Sequence, residues 1–251
     1  MTSMKEQREP ERDEKPKKVV FLDRDGTMNT EVNYLHRPED LVLIPGTAEA
    51  VRLFNEAGFT VIVVTNQAGV ARGYYTEADV ETLHRYLNVL LGQSGAHVDA
   101  FYYCPHHPEH GIGEYKRNCR CRKPGTGMFE AAERDLAGGI DRENSWMIGD
   151  KLIDTEAGHN FGIRSILVGT GYGAALRESQ KEDGTEPGSG CADGNYDYYA
   201  EDLLAAARAV TEGRWSGKDS KDNKDSKGNK DSKDNKDSKD NKDSKDSKDR
   251  R

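Results

Sequence analysis

Apolar residues gather in five short runs, most of them followed by a stretch with helical spacing. Residues 19–22, Val-Val-Phe-Leu, contain no polar side chain, and 59–64, Phe-Thr-Val-Ile-Val-Val, contain only Thr60. A sheet with one wet face would alternate, so such runs predict parallel strands buried on both faces. Between them, Pro45-Gly46-Thr47 opens a helix with Ala48, Val51, Leu53 and Phe54 on its apolar face, and Ala57-Gly58 closes it. Thr76 stands at a capping position, and Val80, Leu83, Leu87, Leu90 and Leu91 after it keep the helical period. Further strands are expected at 98–103, 146–148 and 165–168, with helices at 127–136, 153–160 and 202–210. This alternation predicts an α/β fold, a doubly wound parallel sheet. Right-handed crossovers would bring all strand C-termini to one edge. Residues 171–196, rich in Gly, Glu and Ser, read as a surface loop.

The two ends of the chain lack this pattern. Residues 1–17 are crowded with charge and proline, and from Gly217 the chain repeats Lys-Asp-Ser or Lys-Asp-Asn with a period of three. Neither segment holds enough apolar surface to offset the entropy of ordering it. The expected organisation is a disordered charged arm (1–17), one folded domain (18–212) and a disordered repeat tail (213–251). The residues from 217 on carry 11 Lys, 2 Arg and 10 Asp, a net +3, so the overall −8 leaves −11 on the rest. That balance argues against nucleic-acid binding, which depends on Lys and Arg contacts to phosphates. No apolar run approaches the ~20 residues of a membrane helix, and no signal-peptide core is seen. A cytoplasmic monomer is expected, in which four cysteines would be thiols or metal ligands rather than disulfides.

Chemistry enters where the strands end. The first strand runs into Asp23-Arg24-Asp25-Gly26-Thr27. Taken alone, this is either an Asp-Gly turn with two solvated acids or a carboxylate pair able to hold a hard cation and move a proton. Thr65-Asn66-Gln67 follows the second strand and Gly149-Asp150 the fourth, while Arg122-Lys123 precedes a helix. Polar groups at three strand ends on one edge favour an active site over a turn.

Taken in order, Asp23-Arg24-Asp25-Gly26-Thr27, Thr65-Asn66-Gln67, Lys123 and Gly149-Asp150 resemble the motifs of the haloacid dehalogenase-like (HAD-like) phosphatases. More narrowly, residues 18–212 resemble the D-glycero-D-manno-heptose 1,7-bisphosphate phosphatases. The narrower features are Asn66-Gln67-Ala68-Gly69-Val70-Ala71-Arg72-Gly73, Tyr103-Cys104-Pro105-His106-His107-Pro108, Cys119-Arg120-Cys121-Arg122-Lys123-Pro124 and Met147-Ile148-Gly149-Asp150-Lys151. Histidinol-phosphate phosphatases share most of them. The resemblance implies a Rossmann-like HAD fold with a small zinc-stapled loop and no large cap domain. It implies Asp23 as nucleophile, Asp25 as general acid and base, and Thr65 and Lys123 as stabilisers of the transferring phosphoryl. Magnesium would be held by Asp23, the Asp25 carbonyl and Asp150.

Cys104-x-His106 and Cys119-x-Cys121 offer three sulfurs and an imidazole, the donor set of a closed structural zinc site. His107 is the alternative imidazole. The resemblance implies the same four ligands and places substrate contacts at Glu31, Val32, Asn33, Tyr34, Asn66, Gln67, Ala68, Arg122 and Lys151. Glu31 and Tyr34 read equally as part of a solvated loop, and Asp154 reads as an acid favoured by the first turn of its helix. The implied activity is magnesium-dependent removal of the 7-phosphate from a heptose bisphosphate, a soluble sugar phosphate. Its rivals are histidinol-phosphate hydrolysis and a relict phosphate-binding scaffold without catalysis.

Overall fold

The computed structural model describes residues 15–182 and 195–215. The expected arm (1–14 of it), most of the repeat tail and Cys191 lie outside the described residues. Six parallel strands form one sheet in the order β3-β2-β1-β4-β5-β6. They are β1 (Val19–Leu22), β2 (Thr60–Asn66), β3 (Ala100–Cys104), β4 (Trp146–Gly149), β5 (Arg164–Val168) and β6 (Tyr198–Ala200). The helices are α1 (Thr47–Glu56), α2 (Ala68–Ala71), α3 (Glu77–Gly92), α4 (Gly127–Asp135), α5 (Leu152–Phe161), α6 (Gly173–Glu182) and α7 (Leu203–Thr211).

The unbroken apolar strands serve two cores at once, because successive side chains point to opposite faces. Val20, Leu22, Val61, Val63 and Ile148 pack one face with Phe54, Leu83 and Ala206 from α1, α3 and α7. Val19, Phe21, Ile62, Val64 and Met147 pack the other with Phe129 and Phe161 from α4 and α5. Thr76 caps α3 through a reciprocal capping box with Asp79.

Strand order reverses between β1 and β4, which lie side by side with Leu22 opposite Ile148. This is the topological switch point, where an open sheet leaves a crevice at its strand C-termini. Asp23 and Asp150 follow these two strands directly.

Three elements depart from the sequence expectation. Residues 173–182 are helical, although residues 171–196 read as loop; Ala174, Ala175 and Leu176 give the helix only a short apolar face. β6 adds a sixth strand, only three residues long, which carries too little pattern to be read. α2 is a single turn after β2. The folded unit also reaches past 18–212. Lys17 N–H donates to Gly139 O at 3.0 Å. Trp215 packs edge-on to Trp146 at 5.0 Å, with the Arg164 guanidinium 4.1 Å from its ring.

The contact between α5 and the sheet depends on Gly158. A Cβ there would meet Met147 Cβ at 2.6 Å and collide with Ser165 Oγ. Glycine to alanine inside a helix ordinarily gains about 1 kcal/mol. Here the sign reverses: Gly158→Ala is expected to lose ~1–3 kcal/mol from overpacking, read as a lower denaturation midpoint in urea.

Candidate active site

Lys123 sits at the centre of the crevice, 3% exposed. Its Nζ lies 2.8 Å from Asp23 Oδ1 and 2.7 Å from Asp154 Oδ1, and donates to Val64 O at 2.7 Å. Its backbone is held as well. Asn66 Oδ1 accepts from Lys123 N–H at 3.0 Å, and Asn66 Nδ2 donates to Lys123 O at 3.2 Å. The Asn66 side chain thus places the lysine.

Asp154 joins the site, correcting its reading as a mere first-turn acid. Its Oδ2 accepts the Lys151 N–H at 3.1 Å, as a helix cap does, while Oδ1 faces Lys123. The two roles coincide because α5 starts where β4 ends.

Asp25 is gripped separately. Arg24 Nη2 donates to its Oδ2 at 2.8 Å, Asn29 Nδ2 to Oδ1 at 3.0 Å, and Gln67 Nε2 to Oδ2 at 3.0 Å. Gln67 also donates to Thr65 Oγ1 at 2.9 Å and accepts from Tyr75 OH at 2.7 Å. Burial pushes the Asp25 carboxyl up, but the Arg24 charge and these hydrogen bonds outweigh it and hold it below its ordinary value. Gln67, like Asn66, holds an active-site residue in place. Neither Arg24, Asn29 nor Tyr75 was singled out by sequence; the only hint was an arginine between two motif acids.

A cavity of about 230 Å³ opens onto Asp23, Asp25, Thr65 and Lys123. Glu31, Val32, Asn33, Tyr34, Asn66, Gln67, Ala68 and Lys151 line it too, so the 31–34 segment forms part of the wall. Tyr34 takes φ +60°, unusual for a side chain of its size. Lys151 Nζ donates to Glu31 Oε2 at 3.0 Å and tethers that wall to α5. Arg122 does not line the cavity; its Nη1 donates to His106 O at 3.4 Å. Burial lowers its basicity, the neighbouring Cys104 opposes this, and the Arg72 charge lowers it further.

The acids fit a divalent cation. Oxygens of Asp23, Asp150 and Asp154 lie within 4.8 Å of one another. Asp150 is fully buried; its Oδ2 accepts from Tyr172 N–H at 3.0 Å, whereas Oδ1 has no hydrogen-bond partner. Burial, then the Asp23 charge, push the Asp150 carboxyl up to about 7, against the pull of Lys151. Burial likewise raises Asp154, to about 6, despite Lys123. One buried ammonium cannot neutralise three carboxylates, and a hard cation on oxygen would supply the missing charge. Gly26 leaves room for Asp150: at φ +85°, any Cβ would collide with its Oδ2.

Cys104, His106, Cys119 and Cys121 converge within the same 4.8 Å limit. His106 Nδ1 faces the sulfurs of Cys104 and Cys121 at 3.7 and 3.6 Å. His107 Nδ1 instead accepts from the N–H groups of Glu109 and His110, which favours His106 between the two imidazoles. Cys119 and Cys121 are joined as a disulfide, contrary to the expectation of free thiols. Their Cα atoms are 5.3 Å apart, within the ordinary disulfide span. Zinc ligation asks two local changes. The sulfurs must be thiolates, and His106 Nε2, which takes a hydrogen bond from Arg117 Nη2 at 2.7 Å, must carry the ring proton instead.

Known proteins are similar to this chain in sequence and fold. A HAD-hydrolase-like family model matches residues 120–208. The D-glycero-D-manno-heptose-1,7-bisphosphate 7-phosphatase of Thermosynechococcus vestitus is 45% identical over 199 residues, covering 78% of this chain and 96% of that protein. The D-glycero-beta-D-manno-heptose-1,7-bisphosphate 7-phosphatase of Haemophilus ducreyi is 42% identical, covering 66% and 91%. The crystal structure of D,D-heptose 1,7-bisphosphate phosphatase from B. bronchiseptica, complexed with magnesium and phosphate, superposes with a TM-score of 0.65. It is 31% identical and covers 78% of this chain and 99% of its own.

The raised Asp150 pKa gives a signed pH dependence. A carboxyl whose folded pKa exceeds its unfolded value of 3.8 stabilises the fold below about pH 4, and loses that contribution as pH rises to about 7. Without divalent cation, Asp150 therefore weakens the fold at alkaline pH. A divalent cation bound at Asp150 would have to displace its proton below about pH 7, so its affinity should fall up to ~tenfold per pH unit there and level off above. Titration calorimetry in buffers of different ionisation enthalpy checks this; a flat affinity across that range would contradict it.

Proposed function

Since the chain belongs to the HAD-like D-glycero-D-manno-heptose-1,7-bisphosphate phosphatases, and is a phosphoric monoester hydrolase, we propose that it removes the 7-phosphate of that bisphosphate through an aspartyl-phosphate on Asp23. The observation that carries this reading is the unequal treatment of two carboxylates at one strand mouth. Asp23 meets an ammonium, whereas Asp25 sits in a fork of hydrogen-bond donors.

Asp23 Oδ attacks phosphorus, and the bond to the sugar oxygen breaks. Asp25 gives that oxygen a proton, since an alkoxide is a poor leaving group, and then takes a proton from the water that opens the aspartyl-phosphate. Its fork of donors keeps Asp25 ionised at rest; an arriving phosphate adds negative charge beside it and raises its proton affinity, so Asp25 takes up a proton from solvent as substrate binds and has it to give in the first step. Thr65 hydrogen-bonds the phosphoryl oxygens, and Lys123 offsets their charge. Asp23, the Asp25 carbonyl and Asp150 would hold magnesium, which screens the repulsion between nucleophile and phosphate. Glu31 and Asn33 face the sugar hydroxyls, and Val32, Tyr34 and Ala68 shape the wall. Arg122, which is not part of the cavity lining and has Arg72 near it, would take the far phosphate of a substrate that extends past the cavity.

Cys104, His106, Cys119 and Cys121 would hold a structural zinc that stiffens the loop delivering Arg122 and Lys123. Protein purified under reducing conditions should contain about one zinc per chain, and Cys119→Ser should lower both zinc content and melting temperature. A metal-free protein whose melting is unmoved by that substitution would remove this role.

Substrate choice is tested by turnover of the α- and β-heptose bisphosphates against histidinol phosphate. The bisphosphates should be preferred by at least ~100-fold in kcat/KM, about 2.7 kcal/mol of discrimination. Asp23→Asn should release no phosphate from either. A preference for histidinol phosphate would overturn the substrate assignment, and activity in Asp23→Asn the mechanism.

A further inference from the structure

Arg24 is fully buried, and one side of its guanidinium is spent on Asp25. Nε and Nη2 each donate to Asp25 Oδ1 at 3.1 Å, and Nη2 also reaches Oδ2 at 2.8 Å. The other nitrogen, Nη1, meets His84 Nε2 at 3.3 Å. A guanidinium carries only donors, so His84 has to present a lone pair at Nε2, which places its single ring proton on Nδ1. A second ring proton would set two cations against each other in a dry interior. Burial, reinforced by the Arg24 charge, presses the His84 pKa down to about 3. The ring is also fixed in space. It stacks on Phe101 at 4.6 Å with a 16° interplanar angle, and Tyr103 meets it edge-on at 5.9 Å.

His84 does not line the cavity at Asp23. It lies on α3, outside every motif, beside a different groove formed with Glu81, Arg85 and Asn88. Its bland role would be that of a core histidine filling space against β3. The hydrogen bond argues for more. A buried Nη1–H left without an acceptor costs ~1–3 kcal/mol, and turning the guanidinium to relieve that cost breaks its two-point hold on Asp25.

We propose that His84 is a positioning residue for Asp25: a neutral acceptor that locks the Arg24 guanidinium in plane and so fixes where the acid/base carboxyl points. This rests on the reading of Asp25 as acid and base. The chain His84–Arg24–Asp25 ties the proton-transfer step to the packing of α3 on β3, on the far side of Arg24 from the substrate.

The test compares two variants with wild type. His84→Phe keeps a flat ring for stacking and removes the acceptor, while His84→Gln returns an amide oxygen near the former Nε2. General acid–base catalysis contributes about 10²–10⁴-fold, so mispositioning should cost His84→Phe ~10–100-fold in kcat on the heptose bisphosphate, with KM within ~2-fold. His84→Gln should recover to within ~3-fold of wild type. Equal losses in both variants, or an unchanged kcat in His84→Phe, would overturn the proposal. If His84→Phe fails to fold, His84→Met against His84→Gln makes the same comparison. Asp25→Asn serves as control: retained turnover there would remove the reading of Asp25 itself, whatever His84 does.

Discussion

A single buried ammonium organises this molecule. Lys123 Nζ lies within 2.8 Å of oxygens from Asp23, Asp154 and Val64, which belong to the ends of β1 and β2 and the start of α5. Removing one partner from such a buried ion pair typically costs ~3–5 kcal/mol, because an uncompensated charge stays behind. The elements meeting at Lys123 are therefore held in one arrangement. The lysine is itself held by Asn66 and follows directly on the loop that carries the Cys/His cluster. Its charge is still insufficient. Two carboxylates contact it and a third, Asp150, lies beside them, and the raised proton affinity of Asp150 and Asp154 records the deficit. The site is built around a shortage of positive charge that a divalent cation answers.

The two carboxylates of the first motif are treated differently because different partners surround them. Asp23 is in contact with the ammonium and beside the acids. Asp25 is turned by Arg24, Asn29 and Gln67 into a separate hydrogen-bonded pocket. Sequence spacing makes the pair look symmetric, and folding makes it unsymmetric. Nucleophilic attack and proton transfer need that difference.

Much of the fold was legible, since unbroken apolar strands and helical spacing are strong signals. α6 and β6 were missed for want of apolar content. In the site, Asp23, Thr65, Lys123 and Asp150 could be anticipated because each stands just past a strand or before a helix at the same sheet edge. Asp154 was misread because an acid in a first helical turn has an ordinary explanation, and only the fold shows that the turn begins inside the crevice. Arg24 and His84 were invisible for another reason. A charged and a titratable residue are presumed wet, yet both are buried by contacts distant in sequence. Asn66 and Gln67, read as substrate contacts, line the cavity, and each also holds a neighbouring residue, a second role that spacing in sequence does not show.

The Trp146–Trp215 contact gives the molecule a built-in optical probe of one kind only. These are the two tryptophans of the chain, and they report together from the start of β4, where the segment after α7 folds back beneath the sheet. The chemistry lies at the opposite ends of the strands. Intrinsic emission excited at the indole band therefore reads whether the end of the folded unit is docked, and stays nearly silent on what occupies the crevice.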